Sequence, residues 1–186
     1  MERIFNDEHQ PFWRSAKPIE LGRIDLHEFA RFVAARFNAT DKRLELEVLP
    51  DLLARTRGHP YATQELAYFL WEETPPGGVA GRADLDRALA AVLRSEHAHF
   101  SLLWERAAKS QRLLLEALAR DQPGRPLASE YRHEHGLPGA ATMQKAARAL
   151  REREVIDGTR GEYRIVEPFL AEWITVHVLG GEGEGR

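Results

Sequence analysis

A basic stripe on one predicted helix is the feature of this 186-residue sequence that most clearly suggests chemistry. Lys145 and Arg148 stand three residues apart, and Arg148 and Arg151 repeat that spacing, so the three cations share one face of a helix. Thr142 and Gln144 lie closer to the predicted start of this helix. Cations at this spacing suit the phosphates of double-stranded DNA, and the two polar side chains could reach base edges.

A predicted hairpin after this helix adds Arg160 and Arg164 to the same candidate DNA-binding set. Acidic side chains accompany them at Glu152, Glu154 and Glu162, and the whole chain carries a net charge of −3. Dedicated nucleic-acid-binding domains are often strongly basic. Three interpretations therefore stay open for this surface: contact with DNA, docking of a protein, or a solvated helix face with no partner.

Enzyme chemistry confined to this chain is not expected. The sequence has no G-x-x-x-x-G-K-[ST] stretch with which to hold a triphosphate, and none of its serines lies in a G-x-S-x-G setting. Cysteine is absent, which excludes thiolate nucleophiles and thiolate metal ligands. The paired acids Glu72/Glu73 and Asp84/Asp86 fall at predicted helix ends or in loops. We therefore assign no catalytic residue.

The 8 histidines do not form a metal-binding pattern. The closest pairs, His97/His99 and His133/His135, are spaced i, i+2, and on a helix such side chains point about 200° apart. Surface or packing roles are favoured, and no metal site is predicted.

Helical periodicity covers most of the elements that must position these residues. Apolar side chains recur at helical intervals through the first part of the chain, up to about residue 108. Asp25 and Glu28 have the spacing of a capping box, and Pro60 suits a first helical turn. The predicted helices of this bundle are residues 26–37, 47–57, 61–71, 82–94 and 96–107.

The pattern then changes to that of a winged helix. It runs as a helix, a short helix, a turn, a longer helix and two alternating runs around a glycine-bounded turn, followed by a last helix. The elements are residues 110–120, 129–135, 138–152, 155–157 with 162–166, and 168–178. The sequence thus predicts a mainly α fold, with a helical bundle (25–108), a winged helix-turn-helix domain with a small β-hairpin wing (109–178) and a disordered tail (179–186).

The first 24 residues contain one alternating run, residues 19–24, that is typical of a strand. No second strand lies nearby to pair with it, so it either pairs with another chain or lies extended across the helices. The N-terminus lacks the basic start and apolar stretch of a signal peptide, and no apolar run is long enough to span a membrane. We therefore expect a cytoplasmic protein.

Gly58, His59 and Pro60 join two predicted helices. From spacing alone they act as punctuation, with glycine ending one helix and proline opening the next. In its wider context, TRGHPYATQEL at residues 56–66, this turn resembles the lid region of P-loop ATPases of the AAA+ and STAND type. The preceding PFW and IEL (11–13 and 19–21) are similar to the end of their ATPase core. QRLLLEALA and YRIVEPFLAEW (111–119 and 163–173) are similar to their winged helix.

This resemblance implies the regulatory C-terminal part of such an ATPase, a lid followed by a winged helix. Gly58, His59 and Pro60 would then lie beside the adenine of a bound nucleotide. ATP or ADP and Mg²⁺ would be held by a catalytic core outside this sequence, and residues 1–24 would be the remnant that contacts that core or another chain. A free-standing DNA-binding regulator and a protein-interaction module are the alternatives.

Overall fold

The helices of the protein follow from helix-capping residues and apolar faces in its sequence. A computed structural model describes residues 24–180. The helices are α1 (Leu26–Asn38), α2 (Val48–Thr56), α3 (Pro60–Glu73), α4 (Arg82–Ser95), α5 (His97–Glu105), α6 (Lys109–Arg120), α7 (Ser129–Glu134), α8 (Ala140–Glu152) and α9 (Pro168–Ile174), which continues as a π-helical turn (Thr175–Leu179).

Helix α1 shows how a capping residue sets a helix start. Asp25 lies just before the helix, and its Oδ1 accepts hydrogen bonds from the backbone N–H groups of His27 (2.9 Å) and Glu28 (3.0 Å). Phe29, Val33 and Phe37 form the buried face. The capping pattern in the sequence therefore located the first turn correctly.

A two-stranded parallel sheet inside the bundle was not predicted from the sequence. Strand β1 (Arg43–Leu44) pairs with β2 (Val79–Ala80), and the register places Arg43 opposite Val79. Each strand has only two residues, which is too short for an alternating pattern to be visible. The pairing ties the chain before α2 to the chain before α4.

The second part of the chain has the predicted helix order. Helices α6, α7 and α8 precede an antiparallel wing in which β3 (Ile156–Asp157) pairs with β4 (Arg164–Ile165), and α9 follows. Helix α8 begins at Ala140, two residues later than the proline start predicted from sequence. The mainly α fold, a helical bundle followed by a winged helix with a small hairpin wing, is confirmed.

Both parts share one apolar core. Buried side chains of the bundle, such as Leu66 and Leu85, belong to the same cluster as Leu114 and Leu118 of α6 and Phe169 of α9. Full burial of each such side chain contributes about 1.5–3 kcal/mol. The winged helix is therefore packed directly against the bundle.

Two sequence predictions lie at the ends of the chain. The strand predicted at residues 19–24 falls outside the described residues except for Ile24, which is not in a strand. The last helical turn extends through Leu179, one residue into the predicted tail. Residues 181–186 of that tail lie outside the described part.

Candidate functional site

Helix α8 has one apolar face and one polar face. Its buried side chains are Met143, Ala146, Ala147 and Leu150, which pack into the core of the winged helix. The predicted DNA-binding residues of this helix point away from that core, and all of them are exposed: Thr142, Gln144, Lys145, Arg148 and Arg151. Of these five residues, the structure brings Gln144, Arg148 and Arg151 together along one groove, whereas Thr142 and Lys145 do not line it.

One of the three cations on the polar face of α8 is paired with an acidic side chain. Arg148 Nε lies 2.9 Å from the Oε1 of Glu152, one turn later, and the two side chains are 82% and 63% exposed. An exposed pair of this kind contributes only about 0.3–0.5 kcal/mol, but it offsets the charge of one arginine. Lys145 and Arg151 have no acidic partner among residues 24–180.

A groove between α8 and the wing has a volume of about 790 Å³. Gln144, Arg148 and Arg151 line it on the helix side. The acidic residues that line it are Glu152, Glu154 and Asp157. The groove therefore presents both signs of charge and could accommodate a protein segment as well as a phosphate backbone.

The wing depends on glycine at its turn. Gly158 has a φ of 152°, and a Cβ at this position would lie 1.9 Å from the Glu162 carbonyl oxygen. Arg160 occupies the exposed tip with a φ of 55°. Arg125 donates to Glu162 through its Nε at 2.9 Å, which braces the wing against the chain that precedes α7.

Arg164 lies on a different side of the wing from the α8 surface. It lines a small cavity of about 140 Å³ together with Arg57 and the turn formed by Gly58, His59 and Pro60. The predicted DNA-binding set is therefore divided, since Arg164 faces the bundle. Arg164, from the DNA-binding hypothesis, and Gly58, His59 and Pro60, from the ATPase resemblance, thus line the same cavity between the wing and the bundle.

The Gly58–His59–Pro60 turn, here called the lid turn, has a tightly determined backbone. Gly58 has a φ of 65°, and a Cβ there would lie 2.5 Å from the Leu26 Cδ2. His59 caps α3, with its Nδ1 accepting from the Ala62 N–H at 3.4 Å, and Pro60 is the first helical residue. The helix boundary predicted from spacing, with glycine after one helix and proline opening the next, is therefore present.

Arg57, just before the lid turn, connects the bundle to the wing. Its Nη1 donates to Gln122 Oε1 (3.0 Å) and to the Ile165 carbonyl oxygen (3.4 Å). Gln122 Oε1 also accepts the Ile165 N–H at 3.1 Å. Burial, together with the neighbouring charge of Arg164, lowers the pKa of Arg57.

The sequence analysis did not single out Arg57 or Gln122. Gln122 lies in a turn-rich segment between α6 and α7 and shows no motif. Only a pairing between residues 65 positions apart reveals its role, and no local pattern encodes such a separation.

Three carboxylates from three elements line a second cavity. Glu65 (α3), Glu96 (between α4 and α5) and Glu167 (before α9) line a cavity of about 270 Å³ with Tyr61 and His99. Burial and the charges of Glu96 and Glu167 raise the pKa of Glu65 to about 7. Glu65 Oε2 is buried with no hydrogen-bond partner among the described residues. Burial also raises the pKa of Glu167.

The described part of the chain contains no group of three or more His, Cys, Asp or Glu side chains that could hold a metal ion. His97, one of the paired histidines, accepts a hydrogen bond from Trp173 Nε1 at 3.0 Å through its Nδ1.

Within residues 24–180, no helix has the length and apolar character needed to cross a membrane.

A comparison with known protein families gives a match to the second part of the chain. Residues 98–176 match the family model of a probable winged helix domain. The match extends from α5 to the π-helical turn and includes α8 and the wing. Winged helix domains bind DNA or proteins. No curated protein and no solved structure matches the chain.

Proposed function

We propose that this chain is a regulatory unit, a lid followed by a winged helix, which relays the nucleotide state of an AAA+/STAND-like P-loop core to the winged helix. ATP or ADP and Mg²⁺ would bind that core, with the adenine beside Gly58, His59 and Pro60. Residues 1–24 would contact the core. This assignment rests on the sequence resemblance of the lid turn and of the segments that follow it.

The observation that carries the proposal is the direct bonding between the residue before the lid turn and the wing. Arg57 donates to the Ile165 carbonyl oxygen of β4 and shares Gln122 with the Ile165 N–H. A nucleotide that displaced the lid turn would disturb these bonds, which are exposed or partly buried and contribute on the order of 0.5–1.5 kcal/mol each. These bonds between Arg57, Gln122 and Ile165, here called the relay joint, would therefore transmit a local change to the winged helix.

Hydrogen exchange tests this relay on the isolated chain. Pro60 is exposed and lines the small cavity opposite Arg164. Pro60→Ala should accelerate exchange of the Ile165 N–H, because a less rigid turn holds Arg57 less firmly. Pro75→Ala, another exposed proline beyond the far end of α3, is the matched control. Unchanged exchange in the wing of Pro60→Ala would contradict the relay.

Calorimetry tests whether nucleotide binding requires the core that lies outside this sequence. Because the sequence contains no phosphate-binding loop, isothermal titration with ATP or ADP should show no binding tighter than about 1 mM. Submillimolar affinity would contradict the proposal.

A DNA-binding role is the second candidate, and the exposed Lys145 and Arg151 favour it. Both cations lack an acidic partner within the described residues, and Thr142 and Gln144 are exposed near the start of α8. Titration with duplex DNA at increasing salt should show affinity that falls with salt, because each neutralised phosphate releases a counterion. Affinity that is absent or independent of salt would leave protein docking as the role of the α8 groove.

A further inference from the structure

The small cavity beside the lid turn carries positive charge only. Arg57, His59 and Arg164 line it, and no acidic side chain does. Glu167 and Glu172 act on Arg57 electrostatically, but they do not line the cavity. A concave site lined by two guanidinium groups and no carboxylate suits an anionic ligand.

Arg57 is held in place and keeps hydrogen-bond donors that have no partner within the described residues. Its backbone has a φ of 52°, a conformation that costs a residue other than glycine about 1–2 kcal/mol. The two hydrogen bonds to the winged helix both come from Nη1. Nε and Nη2 therefore have no partner among residues 24–180 and can receive a ligand.

Arg164 provides the second guanidinium from the wing. It is exposed on β4 and forms no ion pair within the described residues. Burial is the largest cause of the lowered pKa of Arg57, and the positive charge of Arg164 is the next largest. An anion between the two arginines would remove this repulsion and form charge-assisted hydrogen bonds with both.

The size and lining of the cavity restrict the ligand. Its volume of about 140 Å³ is well below the roughly 300 Å³ of sites for drug-sized ligands. Pro60, Val166 and Pro168 provide apolar walls. One phosphate group fits such a space, whereas a larger ligand would leave most of its atoms outside.

We propose that this cavity is a phosphate-binding site in which Arg57 of the bundle and Arg164 of the wing hold one phosphate group between them. The inference rests on the proposed function because it names the chemical group that the relay joint recognises. Inorganic phosphate and the phosphate of a free nucleotide share this chemistry, and the experiment below separates them.

Amide NMR spectra of the full chain provide the test, with inorganic phosphate as the probe at constant ionic strength. Phosphate should shift the Gly58, His59 and Ile165 amides with a low-millimolar dissociation constant. Arg57→Gln and Arg164→Gln should each weaken binding by about tenfold, since each removes one charged hydrogen-bonding partner. Arg94→Gln, which changes an exposed arginine on α4, should bind like the wild type.

Two further titrations identify the source of the phosphate. ADP binding more tightly than inorganic phosphate at the same amides, with a dissociation constant that stays above about 1 mM, would indicate a nucleotide, and equal affinities would indicate the free anion. Adenosine should cause no shift, because it has no phosphate and because the core that would hold its adenine beside the lid turn is not part of this chain. Equal shifts with adenosine, no shift at tens of millimolar phosphate, or identical affinity in all three variants would overturn the site. Arg164→Gln alone suffices if Arg57→Gln does not fold, because Arg164 makes no side-chain hydrogen bond within the described structure. The relay itself is judged separately by the exchange of Pro60→Ala.

Discussion

Replacing Glu65 with glutamine should stabilise the protein above neutral pH. The Glu65 carboxyl group is partly buried beside Glu96 and Glu167, its Oε2 has no partner among the described residues, and its pKa is raised to about 7. At pH 8 the folded protein must hold this group ionised near two other carboxylates. Glutamine keeps a similar shape without the charge, so the repulsion disappears.

The sign and size of this effect follow from the two pKa values. The folded state binds the Glu65 proton more tightly than the unfolded state, so the associated stability is complete below pH 4.5 and is lost as the pH rises through about 7. At about 1.4 kcal/mol per pKa unit, the full difference is about 3.4 kcal/mol. Solvent screening of this partly exposed side chain reduces it to roughly 1–2 kcal/mol.

Thermal unfolding followed by circular dichroism measures the effect. Glu65→Gln should raise Tm by roughly 3–6 °C at pH 8, and the gain should shrink as the pH falls toward 4.5. Glu72→Gln, an exposed position on the same helix, should change Tm little at any pH. A gain that is the same at pH 5 and pH 8, or a loss at pH 8, would refute the electrostatic explanation.

Three further predictions concern the framework of the site. Gly158→Ala should destabilise the fold by more than about 2 kcal/mol, because its Cβ would meet the Glu162 carbonyl oxygen. Gly161→Ala in the same wing, with no atom within 4 Å, should lose only about 1 kcal/mol in urea unfolding; equal losses would contradict the steric argument. Leu150→Ala should lose about 2–5 kcal/mol by the same assay, and a loss well below that range would contradict its full burial. Lys42→Met should lose about 1–3 kcal/mol, since the buried Lys42 Nζ donates to the Trp71 carbonyl oxygen at 2.6 Å; an unchanged midpoint would show that this bond contributes nothing.

Features that depend on nearby residues could be predicted from the sequence. The cap at Asp25, the turn at Gly58, and the apolar face of α8 each depend on residues within a few positions of one another. Their spacing predicts the element directly. The exposed positions of Lys145 and Arg151 follow in the same way, because the residues of α8 that face the core fix the opposite face.

Features that depend on distant residues required the tertiary structure. The strand pair β1–β2 joins short segments far apart in sequence, and the meeting of Glu65, Glu96 and Glu167 depends on how three elements pack. The sequence placed Arg164 with the α8 cations because it lies in the wing. The structure shows it beside Arg57 and the lid turn instead.

By itself, the sequence determined the mainly helical fold, the winged helix order and the polar face of α8, because helical periodicity and capping act over a few residues. Only the tertiary structure decided which charges meet: two arginines in the small cavity beside the lid turn, and three carboxylates in the cavity lined by Tyr61 and His99. The physical reason is that electrostatic interaction depends on distance in space and on burial. Both are set by the packing of the winged helix against the bundle.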